Sequence, residues 1–273
     1  MKLRGRDVAV NGALAALGLL TLAPLLWMVS VSFMAPGEAS ASPPPLLPRE
    51  ATLGNYRELF AAAGMGRAFA NSALLATGAA VLSLAFNVTA GYAFAKLRFW
   101  GRDRIFRGLL AALVIPAQVA MIPVFLMLKS AGLVNTYAGV LLPAMANVPG
   151  IFLVRQYAVT IPDSLLEAAR IDGASELRLF WSVILPQLSP ILVTLAVLSF
   201  LGSWNDFLWP LIVLADDRLY TLPVALASLT REHVQDSELM MAGSVLTVLP
   251  VLGLFLLLQR YYIRGLLAGG VKG

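Results

Sequence analysis

Cysteine is absent from the 273-residue chain, and histidine occurs only once, as His233. Without cysteine the protein has neither a disulfide nor a thiolate for catalysis or metal binding. One histidine is too few for the histidine clusters that hold catalytic zinc. The sequence therefore excludes thiol chemistry and zinc sites built from cysteine and histidine.

Charged residues are also scarce. They make up 13% of the chain, hydrophobic residues make up 59%, and the mean hydropathy is +0.80. Soluble domains contain about 25% charged residues. This composition predicts an integral membrane protein, and the net charge of +5 then reflects how the chain is oriented in the membrane. We expect no nucleic-acid partner.

Apolar stretches long enough to cross a bilayer occur six times. About 20 helical residues are needed to span about 30 Å of hydrocarbon. Prolines interrupt several stretches, which a bilayer tolerates where neighbouring helices or a water-lined cavity satisfy the freed backbone groups. We therefore predict an all-α bundle with a pathway rather than a simple anchor. The predicted spans are Val8–Phe33, Phe69–Ala95, Ile105–Leu128, Tyr137–Val154, Pro190–Leu214 and Met241–Tyr262.

Basic residues are unevenly distributed over the connections. Fourteen of the twenty Lys and Arg residues fall at the two termini and in the second and fourth connections. Cytoplasmic connections carry the excess of Lys and Arg, so we predict cytoplasmic N- and C-termini. The proline-rich loop 35–68, with a short interfacial helix at Asn55–Phe60, and the acidic connection Ala215–Leu239 would lie outside. We predict a single membrane domain over 1–273.

The sequence lacks the motifs and residues that would bind ATP, couple transport to an ion gradient or carry out catalysis. No G-x-x-x-x-G-K-[ST] motif is present, so the chain has no P-loop for ATP. Asp206 is the only acidic residue within the predicted spans, whereas carriers driven by ion gradients keep ionisable residues there. No paired carboxylates or nucleophile–base set lies in the spans. We therefore predict no enzymatic activity and no cofactor in this chain, with energy supplied by a separate subunit.

The fourth connection, residues 155–190, contains the polar sequence EAARIDGASELRLFWSVILP. Pro162 prevents the preceding helix from continuing. Ser164 and Glu167 have the spacing of a capping box, which predicts that a new helix begins at about Ser164. Gly173 suits the left-handed position just past a helix end, so this helix should run to about Asp172.

A second short helix should follow in the same connection. Ser175 can cap its N-terminus, and we expect it to end at Pro186. Isolated helices this short are marginal in water, so another surface must pack on them. The residues alone fit two interpretations equally well: a helix that docks on a partner, and a hairpin lying on the membrane surface.

This connection resembles the EAA loop of ABC-importer permeases. The loop has the spacing EAA, three residues, Gly, nine residues, Ile-x-Leu-Pro. Residues 167–169, Gly173 and residues 185–186 match it, with Val183 in place of the usual Ile. Other segments resemble the carbohydrate-importer branch of that family, including Ala90–Phe99, Trp204–Leu211 and the tail Gly265–Gly273. The resemblance covers nearly the whole chain.

The resemblance implies a type I ABC-importer permease fold with six transmembrane helices in the bacterial or archaeal cytoplasmic (inner) membrane. It implies the smaller permease subunit of a maltose-type sugar importer. Expected partners are a second homologous permease, two copies of an ABC ATPase that binds ATP and Mg, and an extracytoplasmic solute-binding protein. The implied ATPase-coupling residues are Glu167, Ala168, Ala169, Asp172, Gly173, Ala174, Leu185 and Pro186.

Polar and aromatic residues at helix depth are candidates for a substrate pathway, because a sugar needs hydrogen-bond partners and an aromatic face. The same side chains suit hydrogen bonds between helices or interfacial anchors. A stand-alone channel or gradient-driven carrier, and a membrane scaffold that transports nothing, are alternatives to the importer. The pathway candidates are Asn87, Gln118, Asn147, Ser203, Trp204, Asn205 and Asp206.

Overall fold

The computed structural model describes residues 5–61, 64–232 and 236–270. Throughout these residues the regular elements are helical and no strand occurs, which confirms the all-α prediction. The lone histidine at 233 and the last residues of the tail, 271–273, lie outside the described residues. The α-helices are α1 (Gly5–Ser32), α2 (Gly54–Ala61), α3 (Met65–Lys96), α4 (Arg102–Ala112), α5 (Ala117–Ser130), α6 (Tyr137–Leu141), α7 (Val148–Val159), α8 (Asp163–Ile171), α9 (Glu176–Leu179), α10 (Leu185–Gln187), α11 (Ser189–Trp204), α12 (Leu208–Val213), α13 (Leu222–Glu232) and α14 (Ser237–Gly270).

Three helices of the described chain are long and apolar enough to cross a membrane by themselves. They are Val10–Ser32 in α1, all of α3, and Ser237–Leu257 in α14. Three further pairs of consecutive helices reach that length together but are bent, so the number of crossings is three, or up to six if each pair is one span. The first, second and sixth predicted spans thus correspond to single helices.

The other predicted spans are broken. The third is split into α4 and α5, which meet at 106°, because Pro116 stands at the N-terminal boundary of α5 with an extended ψ of 133°. The fifth predicted span, Pro190–Leu214, is broken before Pro210. The helix α11 ends at Trp204, and α12 begins only at Leu208.

The connections hold more helix than the sequence pattern indicates. The helix predicted at Asn55–Phe60 is present within α2. The connection Ala215–Leu239, which we expected to be a loop, contains the 11-residue helix α13. Its Leu222 and Val224 are buried, so packing stabilises a helix that a segment flanked by acidic residues does not suggest.

The chain divides into two compact units. The first unit consists of the N-terminal residues through Arg67 together with Ala225–Gly253. The second unit consists of Ala68–Val224 and the residues from Leu254 onward. In the first unit the buried Asn55 amide donates to the carbonyl oxygens of Ser32 and Met34, at 3.0 and 2.9 Å. This amide ties α2 to the end of α1.

The second unit carries the candidate functional residues. Its main apolar core joins α3, α7, α8 and the helices from α9 to α11. The helices α3 and α7 touch closely, since a Cβ on Gly91 would lie 2.6 Å from the Cβ of Val154. A buried polar chain crosses the same helices: Asn87 donates to Ser83 Oγ at 2.6 Å and accepts from the Asn147 amide at 3.0 Å.

Candidate functional site: the α8 loop and the cavity of the second unit

The helix α8 begins one residue earlier than the sequence predicts. Its first residue is Asp163, the N-cap is Pro162, and no side chain caps it. The predicted capping box of Ser164 and Glu167 is therefore wrong. Pro162 has an extended ψ of 134°, so the boundary falls at the proline, and Ser164 already lies inside the first turn.

The C-terminus of α8 has the predicted geometry. Gly173 adopts a left-handed φ of 81°. Its amide donates to Arg170 O at 3.0 Å, and the amide of Ala174 donates to Ala169 O at 2.9 Å. This pair of bonds is a Schellman motif, in which glycine takes the left-handed position at no steric cost. Gly173 thus determines the direction in which the chain leaves α8.

The second helical stretch of the loop starts as predicted but does not stop at Pro186. Ser175 Oγ accepts from the amide of Arg178 at 3.3 Å, which confirms the cap. After α9 a π-helical turn covers Phe180–Ile184, and α10 continues to Gln187. Pro186 lies near the start of α10, directly after the π-helical turn, and does not end the helical stretch.

Apolar contacts hold α8 on the membrane-domain core. Leu166 is 2% exposed and belongs to the core cluster formed by α3, α7 and α11. Ala169 and Leu185 pack against the same cluster as partly buried residues. Three of the residues implied by the resemblance, Ala169, Ala174 and Leu185, therefore lie partly inside the protein.

An ion pair joins the start of α8 to the end of α3. Lys96, whose side chain is 5% exposed, places its ammonium 2.6 Å from Asp163 Oδ1 and donates to Ile161 O at 2.6 Å. The hydrogen bond from Lys96 is the largest effect on Asp163, and it lowers the pKa of that carboxyl below its ordinary value of 3.8. No feature of the sequence pattern pointed to Lys96.

A second ion pair bridges the turn at Gly173. Arg170 donates to both carboxylate oxygens of Glu176, at 2.7 and 3.3 Å. These bonds lower the pKa of Glu176 and raise the pKa of Arg170. A bidentate pair fixes direction as well as distance, so α8 and α9 are held together across the turn.

The remaining loop residues form an exposed face. Glu167, Ala168, Asp172, Gly173 and Pro186 are exposed. Glu167 makes no ion pair within the described part of the chain. Ile171 and Leu177 are 86% and 70% exposed, so this part of the loop presents two open apolar side chains and the Glu167 carboxylate. We refer to these seven residues as the docking face.

A cavity of about 870 Å³ lies in the second unit. Its walls are mostly apolar, and they come from residues between Leu75 and Thr221, chiefly on α3, α5, α7 and α11. Sites for small molecules are commonly apolar cavities of about 300–1,000 Å³ with a few placed polar groups. The polar side chains in these walls are Asn147, Ser199, Ser203, Asp206 and Thr221.

Three of the predicted pathway residues line this cavity: Asn147, Ser203 and Asp206. Asn147 also caps α7, since its Oδ1 accepts from Gly150 at 2.7 Å. Asp206 Oδ1 accepts from the Trp209 amide at 3.3 Å. The structure thus brings together residues that lie about sixty positions apart in the sequence.

The other pathway candidates lie elsewhere. Gln118 and Asn205 are exposed outside the cavity walls, and Asn205 donates to Leu201 O at 2.9 Å. Trp204 is 1% exposed and stacks on Phe200. Asn87 is fully buried, and its side chain forms part of the buried polar chain by accepting from the Asn147 amide. The buried Asn87 and Trp204 therefore have structural contacts, as is common for amides and rings inside a helical bundle.

Thr221 is a cavity residue that the sequence did not single out as a pathway candidate. It is buried, and its Oγ1 has no hydrogen-bond partner in the described part of the chain. A buried hydroxyl without a partner is costly, and this one belongs to the cavity wall. The only signal in the sequence was its place beside Leu222 and Pro223, the start of the unexpected helix α13.

Comparison with known families identifies the family to which the chain belongs. Residues 87–267 match the family described as binding-protein-dependent transport system inner membrane component. The chain belongs to this family. The matched region contains the α8 loop and most of the cavity wall, so both features are part of an inner membrane permease. It is a component of a transport system.

Relatives of this permease share most of its length. It is 40% identical to the arabinooligosaccharides transport system permease protein AraQ of Halalkalibacterium halodurans over 95% of this chain and 94% of that one. It is 33% identical to the melibiose/raffinose/stachyose import permease protein MelC of Bacillus subtilis over 92% and 91%. Its fold matches a chain in the crystal structure of a bacterial ABC transporter that imports alginate, with a TM-score of 0.83, 24% identity and coverage of 96% and 100%.

Proposed function

We propose that the chain is one of two permease subunits in an ATP-driven ABC importer for a sugar or sugar-like solute. Support comes from the relatives, since AraQ and MelC are described as permeases for oligosaccharides. The relatives also include an sn-glycerol-3-phosphate permease of Pectobacterium atrosepticum, 32% identical over 96% of each chain. The solute class is therefore carbohydrates and their derivatives.

The observation that carries this proposal is the docking face. The helix α8 has its inner side fixed by Leu166 and the Lys96–Asp163 pair, while Glu167 and Ile171 are exposed. A nine-residue helix is only about 13 Å long, too short to stand alone. The inner side of α8 is packed on the core, and its outer side carries both charged and apolar residues. Such a helix is suited to bind in a cleft of a partner protein.

The proposed partner at this face is the ATPase. Glu167 pairs there with a basic residue of the ATPase, and Gly173 allows the turn that presents α8. The ATPase subunits bind ATP and Mg, and their closure draws together the α8 loops of the two permeases. Because α8 packs on the core of α3, α7 and α11, its movement reaches the helices that line the cavity. Substrate then enters from a binding protein and leaves inward.

The proposed topology has six spans with both termini cytoplasmic, in the inner membrane of a bacterium or archaeon. The loop 155–190 is then the cytoplasmic coupling loop of a single permease domain, and the proline-rich loop 35–68 is external. This orientation puts the docking face on the side where ATP is available. The cavity of about 870 Å³ is this subunit's share of the pathway, with Asn147, Ser203, Asp206 and Thr221 offering hydrogen bonds to sugar hydroxyls.

The test is a pull-down of the full chain from native membranes in mild detergent, with partners identified by mass spectrometry. We expect an ATPase with a P-loop, a second multi-span permease and an external binding protein whose sugar can then be screened. Elution of the chain alone, or only as its own oligomer, would overturn the importer and favour a channel or gradient-driven carrier. The variant Glu167→Ala tests the docking face: it should lose the ATPase but keep the second permease.

A further inference from the structure

The short connection between α3 and α4 forms a concave basic site. It encloses a cavity of about 600 Å³. Four arginines share the site with a single carboxylate, so its formal charge is strongly positive. The lining residues are Arg98, Phe99, Trp100, Gly101, Arg102, Asp103, Arg104 and Arg107.

Two of these arginines have no hydrogen-bond partner within the described part of the chain. Arg102 is engaged, since its Nε donates to Asp103 Oδ1 at 3.0 Å and its guanidinium reaches Leu97 O at 3.3 Å. Arg107 donates to Asp103 O at 3.2 Å. Arg98 and Arg104 are exposed and make no hydrogen bond or ion pair within the described part of the chain. Arg98 acts on Asp163 only through its charge.

The backbone brings these side chains to one place. Gly101 has a left-handed φ of 78°, and as the N-cap of α4 it offers no side chain to the amides of the first turn. The chain therefore reverses sharply between Lys96 and Arg102, and arginines on both sides of the turn line one cavity. An excess of Lys and Arg on one side of a membrane explains why the site is positively charged. It does not explain why these arginines line the same cavity.

The site follows directly on a helix that is long and apolar enough to cross a membrane. The spanning helix α3 ends at Lys96, and α4 starts only six residues later. Trp100 is 89% exposed, and Phe99 and Ile105 beside it are also exposed. Aromatic side chains in such positions are typical of the interface between headgroups and hydrocarbon. A ligand held by the arginines would thus extend along an apolar, lipid-facing surface.

We propose that this site binds the phosphate of an anionic phospholipid headgroup. Guanidinium groups form bidentate hydrogen bonds with phosphate oxygens, and basic pockets at the surface side of membrane helices are suited to acidic headgroups. A free phosphate would match the arginines but not the exposed Trp100 and Ile105, which the acyl chains of a lipid cover. The proposal is independent of the transport function proposed above.

The test uses the full chain purified in mild detergent, with phosphatidylglycerol as the probe and phosphatidylcholine as the neutral comparison. Native mass spectrometry counts the lipids retained. The variant Arg98→Gln/Arg104→Gln should lower the affinity for phosphatidylglycerol by roughly thirtyfold, since each basic residue near the surface contributes about a factor of five to six. The matched control Arg57→Gln/Arg67→Gln removes the same charge from exposed positions of the other unit and should retain the lipid.

Further outcomes separate the alternatives. Arg98→Lys/Arg104→Lys keeps the charge but not the guanidinium fork, so partial retention is expected, and this variant also tests the site if the glutamine variant does not fold. Equal retention by wild type and both variants would overturn the proposal. Displacement of phosphatidylglycerol by millimolar inorganic phosphate, or cross-linking of these arginines to a protein partner in place of lipid, would overturn it as well.

Discussion

Lys96 and Asp163, 67 residues apart, form an ion pair of 2.6 Å between the last residue of α3 and the first residue of α8. The Lys96 ammonium is almost fully buried and also donates to Ile161 O, so it holds both sides of Pro162. The end of α3 is thereby joined to the exposed loop helix by a direct ion pair. Movement of α8 reaches α3 through this contact as well as through the apolar core.

We expect Lys96→Met to loosen the start of α8 without preventing folding, because Leu166 still packs on the core. Hydrogen exchange should speed up several-fold at the amides of 161–166, and transport should fall while the ATPase stays bound. Arg57→Met is the control, since it removes an exposed basic residue of the other unit. Unchanged exchange in the Lys96 variant would show that the ion pair does not position α8.

The same contact should depend on pH in a defined direction. The pKa of Asp163 is lowered by its hydrogen bond with Lys96, so the stabilisation is complete above the ordinary aspartate pKa and is lost as the pH falls through the lowered value. Protection of the α8 amides should therefore be constant from about pH 5 to 8 and decrease only below about pH 4. In Asp163→Asn the acid transition should disappear at the amides of 161–166, while the Arg170–Glu176 pair, whose carboxyl pKa is also lowered, still titrates at the other end of α8.

Gly173 allows two substitutions to be compared. Its φ of 81° is left-handed, and no atom of the described residues lies within 4 Å of an added Cβ. Gly173→Asn should keep assembly and most transport, because asparagine tolerates this conformation. Gly173→Arg should leave insertion intact but abolish transport, since its side chain projects from the docking face. Transport by the arginine variant at the native rate would remove Gly173 from the coupling role.

Gly91 should tolerate no side chain. An added Cβ would lie 2.6 Å from the Cβ of Val154 and 3.0 Å from Ile151 O. Gly91→Ala should destabilise the protein by about 1–3 kcal/mol through overpacking, measured as a lower unfolding temperature in detergent. Gly108→Ala is the control, because nothing lies within 4 Å of its added Cβ, and a similar loss there would point to a general helix effect.

Asn87 should contribute to stability rather than to substrate binding. Its amide connects Ser83 and the Asn147 backbone in the buried polar chain. Asn87→Leu leaves the Asn147 amide without its partner and removes one of the two hydrogen bonds of Ser83 Oγ. It should cost about 1–2 kcal/mol, with the KM for substrate unchanged in the protein that folds. A raised KM at native stability would instead place Asn87 in the pathway.

Thr221 should show the opposite behaviour. Its hydroxyl has no partner in the described part of the chain, so Thr221→Val should leave the unfolding temperature unchanged or slightly raised. If the cavity carries the substrate, this change should raise the KM for transport several-fold through a lost hydrogen bond. Ser199→Ala is the matched control: it removes a hydroxyl bonded to Ser83 at 2.8 Å and should lower stability instead.

The sequence by itself determined the class of the protein and the shape of one loop. Apolar length requires membrane helices whatever their packing, and the turn at Gly173 depends only on neighbouring residues, as does the Ser175 cap. Local interactions of this kind can be predicted from short segments. The family resemblance carried by residues 167–186 was confirmed by the family match.

Only the tertiary structure decided which distant residues meet. Asn205 and Asp206 are neighbours in the sequence, yet the backbone break after α11 turns Asp206 toward the cavity and leaves Asn205 exposed. Trp204, one residue earlier, is buried among rings. Lys96 contacts Asp163, and Thr221 lines the cavity, because helices far apart in the chain pack against one another. Residues in an apolar span have no surface pattern to reveal such contacts, so packing alone assigns each polar side chain to a pathway or to a neighbouring helix.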